Sequence, residues 1–232
     1  MSTAPSSIEE IAARLHAQPG PAADARSRTE AREATLTKPP GALGRLEEIA
    51  AWLAAWQDHA PPRVDAPSVL VFAGNHGIAA RGVSAYPAEV TAQMVANFEA
   101  GGAAVNQLSQ AAGASFRVVP LDLDTPTDDF TQGPAMDEAA FINAFGTGWD
   151  AVPGTCDLLA VGEMGIANTT SAAALALALF GGGAADWTGP GTGVVGDARS
   201  LKETVVAEAA ALHTAETTEP IDLLRRLGGR EL

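Results

Sequence analysis

Three short, continuous apolar runs recur along this chain of 232 residues, and they constrain its fold more than any other feature. Val69-Leu70-Val71-Phe72-Ala73 stops at Gly74, Phe116-Arg117-Val118-Val119-Pro120-Leu121 stops at Asp122, and Leu158-Leu159-Ala160-Val161 stops at Gly162. A strand with one wet face alternates apolar and polar residues, whereas an unbroken apolar run reads as a strand covered on both faces, as in parallel sheets. Parallel neighbours need long crossover connections. The sequence between the runs is helical, most clearly at Thr91 to Ala112 and Ser171 to Phe180. The predicted fold class is therefore α/β: a Rossmann-like parallel sheet flanked by helices, with ligands expected beyond the carboxyl ends of the strands.

Ahead of the first run the pattern is all helical. Helices are expected from Ser6 to Leu15 and from Ser27 to Leu36, separated by Gln18-Pro19-Gly20-Pro21. Thr37-Lys38-Pro39-Pro40-Gly41 forces an extended turn, because a residue before proline avoids the helical region. A third helix should run from Ala42 to about Asp58, burying Leu43, Leu46, Ile49, Ala50 and Leu53 at helical spacing. Pro61 and Pro62 close this section, so residues 1–62 are expected to form a small helical subdomain and 63–232 the α/β domain. The polar stretch Asp124 to Gly133 reads as a loop.

Charge narrows the partners. With 14 Lys and Arg against 28 Asp and Glu, the net charge of -14 argues against a nucleic-acid backbone, whose binding draws on basic side chains. A single phosphate can still be held locally by one lysine and a few backbone N–H groups. No apolar run approaches the ~18 residues of a membrane span. The first ten residues are acidic and lack an apolar stretch, so no signal peptide is expected and a cytoplasmic location is favoured. The lone Cys156 cannot form an internal disulfide and is expected to be structural.

Four segments carry residues suited to chemistry. Gly74-Asn75-His76-Gly77-Ile78 follows the first strand directly; either His76 or Asn75 contacts a ligand or a partner subunit, or the polar side chains satisfy the loop backbone. Gly82 to Pro87 leads into a helix where Glu89, Gln93 and Met94 share an edge that could clasp a flat heteroaromatic. Gly162-Glu163-Met164-Gly165-Ile166-Ala167-Asn168-Thr169-Thr170 is a strand, a Gly-rich turn and a helix start, the architecture that binds an anion on free N–H groups and the helix dipole. Its spacing is neither the Walker pattern nor a dinucleotide fingerprint. Glu163, at a strand end in the same loop, could bind ribose hydroxyls. In Gly189-Pro190-Gly191-Thr192-Gly193, three glycines allow a close backbone approach, and Lys202 on the following helix could supply a point charge to phosphate.

Taken with Leu36-Thr37-Lys38-Pro39-Pro40-Gly41-Ala42-Leu43-Gly44-Arg45-Leu46-Glu47 and Gly101-Gly102-Ala103-Ala104, the Gly82 to Asn97, Gly162 to Thr170 and Gly191-Thr192-Gly193 segments resemble the nicotinate-nucleotide:dimethylbenzimidazole phosphoribosyltransferase family in order and spacing, from about Leu36 to the last residues. The resemblance implies an enzyme of cobalamin nucleotide-loop assembly. Phosphoribose passes from nicotinate mononucleotide to 5,6-dimethylbenzimidazole, giving α-ribazole 5'-phosphate and nicotinate. No metal or other cofactor is implied, because the leaving pyridinium is already cationic. By the same carry-over Ser84, Tyr86, Gln93 and Met94 line the base pocket, while Glu163, Met164, Gly165, Gly191 and Lys202 hold ribose and phosphate. A homodimer is implied too. Asn75 stands where the family has Asp, and Ala167 where it has Gly. The resemblance places the family's general-base Glu beyond Leu232, which leaves a non-catalytic or partner-dependent benzimidazole- or nucleotide-binding relative as the alternative.

Overall fold

The computed structural model describes residues 3–232. Three N-terminal helices come first: α1 (Ile8–His16), α2 (Ala23–Glu33) and α3 (Arg45–Gln57). Ser7 caps α1 by accepting from the Glu10 amide at 3.1 Å, the usual role of serine at a helix start. Helices α2 and α3 pair with each other. Lys38, in the Pro-rich turn between them, bridges Glu33 at 2.7 Å and Glu47 at 2.5 Å. Glu33 is the stronger of the two influences that raise the Lys38 pKa. Helix α1 packs elsewhere: Ile11 is buried against Met136 and Phe141 of the larger part of the chain.

The face that α3 buries differs from the expected one. Ala51, Ala54 and Ala55 are inside, while Leu43, Leu46, Ile49, Trp52 and Trp56 are exposed, Leu46 at 62% and Trp56 at 55%. The 3.6-residue period is present in the sequence, but small alanines let α2 approach closely and turn the large side chains outward.

The sheet follows. β1 (Pro67–Ala73) is central, after which come a 3₁₀ turn (Gly77–Arg81), α4 (Glu89–Glu99), α5 (Ala104–Ala111), β2 (Ser115–Pro120), α6 (Glu138–Ala151), β3 (Leu158–Met164), α7 (Asn168–Phe180), the short α8 (Ala184–Trp187), α9 (Asp197–Thr214) and α10 (Pro220–Leu227). Strand order is β2-β1-β3, all parallel, with Val71 opposite both Val118 and Gly162. The apolar runs are thus parallel strands. Only β1 is covered as expected, with Leu70, Val71 and Ala73 buried; β3 is an edge strand whose Val161 is 69% exposed. The expected helix from Thr91 to Ala112 is two helices. Gly101 breaks it by adopting φ +76, a conformation that costs glycine little.

The main core lies between α7, α9 and α10, where Ala173 and Ala174 meet Val205, Val206, Ala209, Leu223 and Leu227. Alanines on α7 allow α9 to pack tightly. The Asp124–Gly133 stretch is a loop as expected, anchored by Phe130, which is fully buried and whose carbonyl lies 2.8 Å from His213 Nε2. Cys156 is a half-buried free thiol. No helix among the described residues is long and apolar enough to cross a membrane.

Candidate functional site

Parallel strands deliver their carboxyl ends to one edge of the sheet, and the chemistry-bearing segments lie there. The edge is tied by backbone hydrogen bonds, Gly74 N–H to the Met164 carbonyl at 3.0 Å and Leu121 N–H to the Ala73 carbonyl at 2.8 Å. Two clusters stand on it.

The first is a cation cradle at the start of α7. Lys202, on α9, is 1% exposed. Its ammonium donates to Thr169 Oγ1 at 2.7 Å and to the Gly189 carbonyl at 3.3 Å. Among the described residues no carboxylate forms a salt bridge with it, so a buried cation is left facing neutral acceptors. Burial alone pushes the Lys202 pKa down. A buried lysine without a counter-ion carries a large desolvation cost that an incoming anion removes. Gly191 closes over the ammonium. It holds φ +54, and a Cβ there would come within 3.3 Å of Lys202 Nζ and 3.0 Å of Thr169 Oγ1. The backbone angle favours glycine, and a side chain there would press on both the cation and Thr169. Read in isolation Lys202 is a solvated helix residue, and only the Gly-rich segments beside it make it a phosphate candidate; in the fold its ammonium is held between Thr169 of α7 and the Gly189 carbonyl.

The α7 start is shaped by Ala167, which occupies the left-handed region at φ +74. A non-glycine residue there bears roughly 1–2 kcal/mol of strain. That strain is the cost of bringing the α7 N-terminus directly behind Gly165, where glycine would sit freely.

The second cluster surrounds Glu163, at the end of β3 and opposite Phe72 of β1. Asn168 donates its side-chain amide to Glu163 Oε2. Much of Glu163 is open to solvent, yet the protein packed behind it raises its pKa through desolvation first, then through the charge of Glu231, while His76 acts the other way. His76 and Glu231 form a buried pair, Nε2 to Oε1 at 2.5 Å. Asn75 donates to the Leu123 carbonyl at 2.9 Å, so of the two roles open to the Asn75-His76 segment this side chain takes the loop-supporting one. Sequence reasoning gives Glu231 no role. The signal for it is faint: an acid two residues after a Gly-Gly pair at a helix end.

The base-side residues sit on a neighbouring element. Thr91 of α4 is fully buried and accepts from the Ile166 amide at 3.2 Å, docking α4 onto the turn that carries Glu163 and Gly165. From that helix Gln93 is exposed and Met94 half-buried. In the preceding loop Ser84 is half-buried, accepting from the Tyr86 amide at 3.4 Å, and Tyr86 is exposed. Among the described residues none of these four hydrogen-bonds to Glu163, Met164, Gly165, Gly191 or Lys202; the two sets are joined through Thr91 and Ile166. Met164 is half-buried and Gly165 buried.

This arrangement is similar to known proteins. The family model described as Phosphoribosyltransferase matches residues 19–232. A nicotinate-nucleotide–dimethylbenzimidazole phosphoribosyltransferase of Jannaschia sp. (strain CCS1) is 58% identical over 230 residues, covering 99% of this chain and 68% of its own length. Its counterpart in Ruegeria sp. (strain TM1040) is 60% identical, covering 92% and 63%. The crystal structure of CobT from Thermus thermophilus superposes with TM-score 0.82 at 39% identity, covering 90% of this chain and 68% of that one. The chain thus spans about two thirds of the length of these relatives, 63% to 68%. With the family model matched over most of its length, the chain belongs to the nicotinate-nucleotide–dimethylbenzimidazole phosphoribosyltransferase family.

Proposed function

We propose that this chain binds nicotinate mononucleotide and 5,6-dimethylbenzimidazole and serves transfer of phosphoribose from the first to the second. The observation that carries the reading is the buried ammonium of Lys202 beneath Gly191, with which no carboxylate among the described residues forms a salt bridge. It offers a phosphate both a charge and a close backbone, at the start of a helix whose dipole favours anions. Glu163 lies across the same strand-end edge, within reach of the ribose in this reading, with Met164 and Gly165 forming the floor between. Ser84, Tyr86, Gln93 and Met94 are the base side: a phenol ring, an amide and a thioether on the helix that docks onto that floor.

In the transfer, a benzimidazole nitrogen donates its electron pair to the anomeric carbon. The bond to the pyridinium nitrogen breaks, its electrons neutralise the ring, and nicotinate departs, while the other benzimidazole nitrogen gives up its proton to water or a base, leaving α-ribazole 5'-phosphate with a neutral ring. Catalysis of such a step rests on fixing the phosphate and ribose while positive charge develops at the anomeric carbon, so a neighbouring carboxylate favours the transition state over the substrate.

The larger-scale reading is a helical subdomain in residues 1–62 on an α/β domain in 63–232. The α2–α3 pair supports it, while α1 is docked on the α/β part. We assign the exposed α3 stripe of Leu46, Ile49, Trp52 and Trp56 to contact with a second copy of the chain. Contiguous large apolar side chains on one helix face are otherwise a liability in water.

The test is calorimetric titration with nicotinate mononucleotide and with dimethylbenzimidazole, followed by mass spectrometry for α-ribazole phosphate after incubation with both. Saturable binding of the nucleotide is expected. A chain that binds neither substrate would sink the reading.

A further inference from the structure

We infer that His76 and Glu231 are positioning residues: a buried pair that supports the Glu163 turn from behind and, through its charge, sets the form in which Glu163 meets a substrate. The inference rests on the reading of Glu163 as the ribose-side carboxylate.

The pair is built rather than incidental. Its partners lie 155 residues apart and both side chains are fully buried. Three chain segments meet around it, each with a glycine at the point of contact. A Cβ at Gly74, after β1, would overlap Glu231 Oε2; one at Gly165, after β3, would overlap Glu231 Oε1; one at Gly229, after α10, would overlap His76 Cε1. The backbone thus encloses the pair on the side of the very turn that carries Glu163. Arg230, the neighbour of Glu231, is engaged elsewhere, donating to the Thr125 carbonyl at 2.6 Å and lying 3.8 Å from Asp122.

Stability alone is a poor explanation for such a pair. Buried ionic pairs rarely outperform apolar residues of the same volume, and a structural polar network is normally satisfied throughout. Here His76 Nδ1 and Glu231 Oε2 are both buried without a hydrogen-bond partner. What the pair does have is electrical access to Glu163. The charged groups acting on that carboxyl are Glu231, which disfavours its ionised form, and His76, which favours it. The helix facing it, α7, contributes only the neutral Asn168, and Lys202 of α9 is bonded to the next residue, Thr169. A protonated Glu163 can donate to a ribose oxygen, whereas an ionised one can only accept. The pair therefore selects between two ways of holding the sugar.

The two members push in opposite directions, which separates an electrical role from a packing one. Carboxyl-carbon NMR of Glu-labelled protein, with the Glu163 resonance assigned by its loss in Glu163→Gln, reads the Glu163 titration in wild type, Glu231→Gln and His76→Gln. We expect Glu231→Gln to lower the proton affinity of Glu163 by threefold or more, on the order of half a pH unit in its midpoint. His76→Gln should raise it. An unchanged titration, or displacement in the same direction by both substitutions, overturns the inference. Should one variant lose its fold, the sign of the other decides; loss of fold in both makes the pair structural and also overturns it. Nicotinate mononucleotide affinity, measured by calorimetry on the same samples, keeps the two readings apart. A protein whose Glu163 responds as expected but binds no nucleotide refutes the proposed function alone, and nucleotide binding with an unresponsive Glu163 refutes the role of the pair alone.

Discussion

Replacing Lys202 by methionine separates what a side chain does for the fold from what it does for a ligand, because the two effects should have opposite signs. Lys202 is 1% exposed, and its ammonium is held by two neutral oxygens, from Thr169 and Gly189. Both of those residues are exposed, so water can satisfy them once the lysine is gone. Methionine keeps most of the buried volume and removes the buried charge. By comparison with other buried charges replaced by apolar residues, the gain is about 1–2 kcal/mol. For a chain of this size that is roughly 2–8 °C in Tm. The gain should shrink at alkaline pH. The Lys202 pKa is depressed in the fold, so wild type becomes relatively more stable as the pH climbs past the depressed value toward the ordinary 10.5, and a non-titrating residue does not. Binding should move the other way. A charge-assisted hydrogen bond to phosphate contributes about 1.5–3 kcal/mol. Its loss weakens nicotinate mononucleotide by roughly 10- to 100-fold. The nucleoside without its phosphate should lose almost nothing. Calorimetry with both ligands and thermal melts at neutral and alkaline pH read the four quantities. Equal losses for nucleotide and nucleoside would refute the cradle, and a Tm that falls by several degrees would make Lys202 a structural residue.

Two further expectations concern the carboxylate and the exposed helix. Glu163 has a raised pKa, so its contribution to stability is complete below its ordinary value of 4.5 and is lost as the pH rises through the raised one. Glu163→Gln should therefore gain on wild type in urea midpoint between pH 4 and pH 7, and a constant difference across that range would contradict the assigned shift. Trp52→Glu with Trp56→Glu should convert a dimer to monomer in sedimentation while leaving the circular dichroism unchanged, since both rings are exposed, their centroids 6.5 Å apart and their planes tilted by 55°; a wild-type chain that already sediments as a monomer would refute the interface.

The parallel sheet is legible in the sequence because its signal is local. An apolar run ending at a glycine or an aspartate is a property of four to six neighbouring residues, and β1, β2 and β3 stand where such runs stand. Burial of individual faces is less legible, because it depends on what packs against them. Sequence periodicity puts Leu43, Leu46, Ile49, Ala50 and Leu53 on the buried face of the expected third helix, whereas Ala51, Ala54 and Ala55 are the residues buried where α2 pairs with α3. Val161 has the same composition-level signature as Val71, yet one lies on an edge strand and the other in the central strand.

The site divides along the same line. Glu163 stands out because a Gly-rich turn follows a strand, and Gly191 and Lys202 because a second Gly-rich segment, a loop between α8 and α9, leads into a helix. Their neighbours are hidden by sequence distance. Nothing near Glu231 in the chain hints that its carboxylate will meet His76 from the other end of the domain, or that Gly74, Gly165 and Gly229 are spaced in sequence but adjacent in space. Each of those glycines has a plausible local reason, a strand end or a helix end, and so none asks for another explanation. Their shared reason appears only when the three loops converge: the volume a side chain would have filled on each is taken by one buried acid–imidazole pair. A substitution at any of the three to alanine should therefore disturb the same pair. The residues that tune Glu163 are consequently to be sought among the small ones around it as much as among the charged ones, because in a space this tight the absence of a Cβ fixes where the charge can lie.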